Sequence, residues 1–205
     1  MSGLFISFEG IDGVGKSTQA DLLETWLQAQ GKTVVRTLEP GGTDVGIEIR
    51  KILLHHRGDL APRAEAALFA ADRAHHVASK IRPALDRGEI VITDRYFDSS
   101  VAYQGAGREL SQTEVRDLSL WAVGGLLPDL TVLLDLPADV ARNRRNGSGT
   151  EPDRLESEKI EFFERARQAY LDLAKAEPKR FLVIDAAASV EVMQEQIVNR
   201  VAGLI

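Results

Sequence analysis

Five short segments of apolar or β-favouring residues recur along the chain, and longer segments with apolar residues at helical spacing lie between them. The first run, from Leu4 to Phe8, has the composition of a buried strand. The other four predicted strands lie at Thr33 to Leu38, Glu89 to Thr93, Leu130 to Leu136 and Phe181 to Asp185. In a chain of 205 residues this pattern predicts one α/β domain, and no linker or internal repeat interrupts it.

Turn and capping residues limit the predicted helices. Gly31 is a natural stop for the first helix, Pro62 fits the first turn of the third, and Pro83 should kink or end that helix. Ser111 begins a capping box, and Ser189 can cap the last helix. The predicted helices run from about Ser17 to Gln30, Asp44 to His55, Pro62 to Leu85, Ser111 to Val123, Ala138 to Arg145, Leu155 to Lys175 and from Ser189 onward, with a further helical segment near Phe97 to Gly105.

The junction between the first strand and the first helix carries the strongest chemical signal. Residues 10–17 have the sequence GIDGVGKS, the full G-x-x-x-x-G-K-[ST] pattern of a phosphate-binding loop. Glycines let backbone N–H groups close around a polyphosphate, and Lys16 adds a point charge for it. Ser17 can supply a hydroxyl ligand to Mg²⁺, and the following helix directs the positive end of its dipole at the same anion. The loop therefore predicts a site for the phosphates of a nucleotide.

Three polar segments follow the second and third predicted strands. Residues 39–43, EPGGT, would lie at the carboxyl edge of the sheet, where ligands of α/β proteins bind, although a plain connection is the alternative. Asp94 suits Mg²⁺ and its waters, and Arg95 can hold a phosphate with two hydrogen bonds; a structural Asp–Arg pair is the alternative. The polar side chains of residues 97–104 could contact a nucleobase or belong to a solvated helix.

An arginine-rich segment lies at residues 142–154. It is polar, contains glycine and lacks an apolar anchor, so we expect it to be mobile. A mobile arginine segment beside a phosphate site is typical of a lid that closes over the phosphates and excludes water, whereas a solvated surface loop is the alternative. We expect one domain over residues 1–205, with the lid at about 142–154.

Composition argues against several other functions. The absence of cysteine excludes disulfides, thiolate metal sites and cysteine nucleophiles. A net charge of −6, from 25 basic and 31 acidic residues, argues against a bulk nucleic-acid binder. No apolar run approaches the length of a membrane span, and the N-terminus lacks the basic region of a signal peptide. We expect a cytoplasmic protein with small-molecule substrates and with neither nucleic acid nor membrane as a partner.

Taken together, these segments resemble the bacterial thymidylate kinases, which belong to the P-loop nucleoside monophosphate kinases. The most specific segments are residues 94–104, DRYFDSSVAYQ, and residues 39–43, and the match extends over essentially the whole chain. The resemblance implies phosphorylation of dTMP to dTDP by ATP and Mg²⁺. It also implies a three-layer fold, in which helices flank a five-stranded parallel sheet, and usually a homodimer packed helix to helix.

The resemblance also implies the residues of the site. The ATP phosphates would lie against Gly10, Ile11, Asp12, Gly13, Val14, Gly15, Lys16, Ser17 and Thr18, and Mg²⁺ against Ser17 and Asp94. The dTMP site would contain Asp12, Glu39, Pro40, Arg50, Phe69, Arg73, Arg95, Ser99, Ser100, Tyr103 and Gln104. Within that site Phe69 would stack on thymine, Arg73 would donate to a thymine carbonyl, and Tyr103 would exclude a 2′-hydroxyl.

Some members of this family carry an arginine inside the P-loop, where this chain has Gly13 followed by Val14. The chain resembles the other type, in which the lid supplies the catalytic arginine. The candidates are Arg142, Arg144, Arg145 and Arg154, and Lys16, Asp12 and Arg95 complete the implied catalytic set.

Two other functions stay open at this point. A kinase for another nucleoside or nucleotide could share the scaffold, because only the shape of the base pocket would separate the two. The second alternative, a regulatory switch that binds an NTP without a small acceptor, belongs to another functional class. A GTPase would need an N-K-x-D guanine-binding motif, which the sequence lacks, and residues 94–104 would have no evident use in a switch.

Overall fold

The computed structural model describes residues 3–56, 58–146 and 152–205. Five parallel strands form one sheet in the order β2-β3-β1-β4-β5. They are β1 (Leu4–Glu9), β2 (Val34–Leu38), β3 (Ile90–Asp94), β4 (Leu130–Asp135) and β5 (Phe181–Asp185). The predicted α/β class and the five-stranded parallel sheet are confirmed.

Helices connect the strands and cover both faces of the sheet. Ser111 and Ser189 cap two of them, since their hydroxyls accept the backbone N–H groups of Glu114 and Val192. Two π-helical stretches, Val77–Ile81 and Val101–Gly107, follow α3 and α5. The α-helices are α1 (Lys16–Ala29), α2 (Asp44–His55), α3 (Pro62–His76), α4 (Arg82–Asp86), α5 (Phe97–Ser100), α6 (Gln112–Ala122), α7 (Ala138–Asn146), α8 (Ile160–Ala176) and α9 (Val190–Ala202).

Two predicted helices differ from the structure. The helix predicted from Leu155 begins only at Ile160, because the carboxylate of Asp153 accepts the N–H groups of Leu155 and Glu156 at 2.9 and 2.8 Å and holds them in a turn. The third helix is α-helical only to His76 and then widens into the π-helical stretch. Pro83 has no N–H to donate to the preceding turn, and the wider turns lie directly before it.

The predicted lid is described in part. Residues 142–146 belong to α7 and are helical, residues 147–151 lie outside the described residues, and residues 152–159 form turns up to α8. The helix therefore extends one residue further into the predicted lid than the sequence indicated.

The core lies on both faces of the sheet. Ile6 and Phe8 of β1 pack into the larger cluster, with Leu23 of α1, while Phe5 points to the other face and packs with Val91. Burial on both faces is what parallel strands between helix layers require. The register pairs Phe8 with Asp94, so β1 and β3 end side by side at one edge. Among the described helices, none combines the length and apolarity that a bilayer crossing needs.

Candidate active site

The phosphate-binding loop joins β1 to α1 at the carboxyl edge of the sheet. Gly13 has a φ of +90°, and a Cβ there would lie 2.3 Å from the carbonyl oxygen of Ala141 in α7, so the position admits only glycine. Gly15, at φ +96°, caps α1 in the left-handed conformation. The Lys16 ammonium donates to the carbonyl oxygens of Gly10 and Ile11, both at 3.1 Å. The loop thus holds its own lysine in place.

Two oxygen ligands meet beside this loop. The Ser17 hydroxyl donates to the Asp94 carboxylate at 3.0 Å, and both residues line the same cavity. Hydroxyl and carboxylate oxygens are the hard donors that suit Mg²⁺. Among the described residues, no cluster of three or more His, Asp and Glu side chains forms a complete metal site. The arrangement therefore fits an ion whose remaining ligands are phosphates and water.

Two cavities adjoin at this edge. One, of about 360 Å³, opens over the phosphate-binding loop. The other, of about 130 Å³, lies between the ends of β1, β2 and β3 and the helices α2, α3 and α5 with its π-helical extension. Both cavities are lined by Asp12, Glu39, Arg50, Arg95 and Glu156. Ligands in the two cavities would therefore face each other across these five side chains.

The second cavity collects most of the residues predicted for the acceptor nucleotide. Nine of them line it, and they are Asp12, Glu39, Pro40, Arg50, Phe69, Arg95, Ser99, Tyr103 and Gln104. Arg73 and Ser100 do not. Four further lining residues escaped the sequence analysis, namely Leu54, Asp153, Leu155 and Glu156. They belong to no motif, and they reach the cavity from α2 and from the segment that precedes α8.

Arg95 lies in the shared wall. Its φ of +71° is unusual for an arginine, and such strain is typical of functional positions. The guanidinium donates to Asp12 at 2.6 Å, to the carbonyl oxygen of Gly10 at 3.1 Å and to the Tyr103 hydroxyl at 3.1 Å. Burial by itself would raise the pKa of Asp12, but the charges of Arg95 and Lys16 outweigh it and hold that pKa well below its usual range.

Arg73, the predicted donor to a thymine carbonyl, is buried behind the wall of the second cavity. It donates to the Glu39 carboxylate at 2.6 Å and to the Ser100 hydroxyl at 3.1 Å. His76 occupies the other oxygen of Glu39 at 2.9 Å. Arg73 and His76 thus fix the side chain of Glu39, and direct contact between Arg73 and a base stays a prediction.

The structure separates the candidate lid arginines. Arg145 lines the cavity over the phosphate-binding loop. Arg144 donates at 2.8 Å to a backbone carbonyl oxygen after β5, and Arg142 is exposed on α7. Arg154 donates at 2.6 Å to the carboxylate of Glu65 in α3. Of the four candidates, only Arg145 lines this cavity, and its guanidinium donates to the carbonyl oxygen of Glu156 at 2.9 Å.

Glu9, the last residue of β1, is a buried carboxylate that the sequence analysis missed. It accepts hydrogen bonds from the backbone N–H of Tyr96 at 2.8 Å, from the Ser99 hydroxyl at 2.6 Å and from the Tyr170 hydroxyl at 2.8 Å. The Ser99 hydroxyl also accepts from Arg95 at 3.2 Å. Glu9 therefore supports Arg95 from beneath. An acidic residue at the end of an apolar strand, directly before the glycine loop, was the available signal.

Glu9→Gln is expected to reduce the pH dependence of stability. Burial and the charge of Asp98 raise the pKa of Glu9 to about 7, although Ser99, Arg95 and Tyr170 act to lower it. A pKa raised above the unfolded value favours folding at pH 4, and this contribution is lost as the pH rises through 7. Between pH 4 and pH 8 the unfolding free energy of the wild type should therefore fall, relative to that of the variant, by on the order of 3 kcal/mol.

Urea unfolding at several pH values measures this difference, with Glu161→Gln, an exposed carboxylate on α8, as the control. The control should leave the difference from the wild type constant with pH. A constant difference for Glu9→Gln as well would contradict the assignment.

Comparison with known proteins agrees with this geometry. The family model described as thymidylate kinase matches residues 8–197. The thymidylate kinase of Leifsonia xyli subsp. xyli (strain CTCB07) is 64% identical over 99% of this chain and 96% of its own, and that of Cutibacterium acnes (strain DSM 16379 / KPA171202) is 47% identical over 100% and 99%. The crystal structure of thymidylate kinase from Ehrlichia chaffeensis is similar with a TM-score of 0.79 and 31% identity, covering 98% of this chain and 99% of that chain. The chain therefore belongs to the thymidylate kinase family.

Proposed function

We propose that the protein transfers the terminal phosphoryl group of ATP to dTMP, with Mg²⁺, forming ADP and dTDP. The observation that carries this proposal is the junction of the two cavities. A phosphate-binding loop lies on one side, a pocket with two aromatic and several polar side chains lies on the other, and charged residues line both. A binding site for a nucleoside triphosphate alone would have no use for the second pocket.

On the donor side, Lys16 and the N–H groups of the loop hold the β- and γ-phosphates. Ser17 and Asp94 would hold Mg²⁺, which when bound neutralises and orients those phosphates. Arg145 closes the cavity from α7. These groups supply charge and alignment.

On the acceptor side, Phe69, Gln104, Arg95 and Arg50 line the cavity. In this proposal Phe69 stacks on the thymine ring, Gln104 makes a polar contact with it, and the two arginines bind the monophosphate. The Tyr103 hydroxyl donates to Asp12 at 3.1 Å, which holds it in the wall of the pocket. We expect a ribose 2′-hydroxyl to clash with it, as the family resemblance implies. This arrangement favours a deoxyribonucleotide.

The phosphoryl transfer itself does not require a strong general base. The phosphoryl group passes through a loose transition state whose charge lies on its equatorial oxygens. Arg95 in the shared wall and Arg145 over the loop bring positive charge to that group. The protein therefore acts by alignment and by charge stabilisation.

A panel of monophosphates in a coupled ADP-release assay tests the proposal. We expect the highest kcat/KM with dTMP. It should fall by about 10- to 200-fold with dUMP, which lacks one methyl group, and further with UMP, dCMP, AMP and GMP. Equal or better turnover of another monophosphate would favour a different nucleotide kinase. ATP hydrolysis that no acceptor stimulates would favour a switch protein.

We further propose that the protein is a cytoplasmic homodimer, as the family resemblance implies. The large apolar side chains of Val45, Ile47 and Ile52 in α2 are about half exposed, which a helix-to-helix interface would cover. Light scattering should give twice the chain mass of 22.5 kDa, and Ile52→Glu should shift it towards the single-chain mass. A single-chain mass for the wild type would contradict the dimer.

A further inference from the structure

Glu65, in the first turn of α3, is a fully buried carboxylate beside the acceptor cavity. One oxygen accepts from the Gln104 amide at 2.9 Å and from Arg108 at 3.2 Å. The other accepts from Arg108 at 3.2 Å and from Arg154 at 2.6 Å. Four N–H donors match the four lone-pair positions of a carboxylate. The group is therefore saturated, and no partner can be exchanged without loss.

This saturation decides which way the Gln104 amide is turned. A carboxylate only accepts hydrogen bonds, so Gln104 must present its NH₂ group to Glu65. The amide oxygen is then left for the opposite side. Among the described residues, no donor forms a hydrogen bond with that oxygen. The oxygen is also not among the side-chain atoms that are buried from solvent and lack a hydrogen-bond partner. Since Gln104 lines the acceptor cavity, this oxygen is open to the cavity as a hydrogen-bond acceptor.

We propose that Glu65 is a positioning residue that makes the acceptor cavity select bases with an N–H group at ring position 3. Thymine and uracil carry that N–H, whereas the corresponding nitrogen of cytosine is an acceptor and would face the Gln104 oxygen unpaired. A buried polar group without its partner costs binding. The inference rests on the proposed function and deepens it, because it names what sets the base preference of that same site.

The positive charges of Arg108 and Arg154 compensate the negative charge of the buried Glu65 carboxylate. Arg154 reaches Glu65 from the end of the predicted lid, and Arg108 reaches it from the end of the π-helical stretch after α5. Arg108 also pairs with Glu158 and lies over the ring of Phe162 at 5.1 Å. Glu158 thus pairs with Arg108, as Glu65 does, but does not contact the Gln104 amide. It is therefore a matched control for Glu65.

The test compares kcat/KM for dTMP, dUMP and dCMP in the wild type, Glu65→Gln and Glu158→Gln. In Glu65→Gln the residue at position 65 can offer either a donor or an acceptor, so the Gln104 amide is no longer fixed. We expect the dTMP:dCMP ratio to fall at least about tenfold. The dTMP:dUMP ratio should stay within about twofold, because both bases carry the N–H. Glu158→Gln should keep both wild-type ratios.

A purely structural role for Glu65 would lower all three values together and leave both ratios unchanged, which would overturn the inference. If Glu65→Gln does not fold, Glu65→Asp decides, with the same expected fall in the dTMP:dCMP ratio. Its carboxylate is shorter, and the long arginines can follow it while the amide contact is lost. A wild type that does not phosphorylate dTMP refutes the proposed function. A wild type that prefers dTMP, with unchanged ratios in the folded Glu65 variant, refutes only the role of Glu65.

Discussion

Arg145→Ala should lower kcat about a thousandfold while the Kd for ATP changes less than about tenfold. The side chain lines the cavity over the phosphate-binding loop, where the proposed reaction builds up charge on the transferred group. A contact that strengthens mainly in the transition state affects kcat more than ground-state binding. Steady-state kinetics with dTMP and direct ATP titration measure the two quantities separately.

Arg144→Ala is the matched control, because it removes the same charge from the neighbouring position of α7. Its guanidinium is directed at the carbonyl oxygen of Ala186. We expect kcat to change less than about tenfold. If kcat survived the loss of Arg145, or fell equally in both variants, the assignment of the catalytic arginine to Arg145 would be wrong.

Arg95→Ala should lower kcat/KM for dTMP about a thousandfold, through a higher KM for dTMP together with a lower kcat. In the proposed function the guanidinium holds the acceptor phosphate with two charge-assisted hydrogen bonds, each worth about 1.5–3 kcal/mol. Its loss also leaves the Asp12 carboxylate without its closest cation. Arg95→Lys should recover only a small part, since an ammonium cannot reproduce the two-point contact.

Arg116→Ala is the control for this change. Arg116 pairs with Glu177 at 3.1 Å and lines neither cavity, so both kinetic constants should stay near those of the wild type. An unaltered KM for dTMP in Arg95→Ala would remove Arg95 from the acceptor site.

Local patterns were sufficient to predict most of the fold. Each strand lies within one residue of its predicted limits. The three central strands β1, β3 and β4 are buried on both faces and therefore leave short apolar runs in the sequence. The glycine loop was evident because close approach of a backbone to phosphate demands a specific sequence. The start of α8 was missed because Asp153 competes for the backbone N–H groups of Leu155 and Glu156, and apolar spacing does not reveal such a contact.

The parts of the site that sequence could not predict depend on contacts between distant segments. Glu65, Gln104 and Arg154 come from three separate elements, and only the packed structure brings them together. Neighbouring helix residues point about 100° apart, so Arg144 and Arg145 have different surroundings. The sequence pattern does not distinguish these two arginines. Four of these five residues were predicted from the sequence, whereas Glu65 and the contacts that all five make were not.

The two cavities that meet at Arg95 predict that the phosphoryl group passes from a ligand in one cavity to a ligand in the other. Phosphorus NMR of the protein with ATP, Mg²⁺ and dTMP tests it most directly. We predict that the β-phosphate signal of dTDP grows in step with the signals of ADP, without accumulation of inorganic phosphate. Loss of ATP to ADP and inorganic phosphate, with dTMP unchanged, would contradict the account.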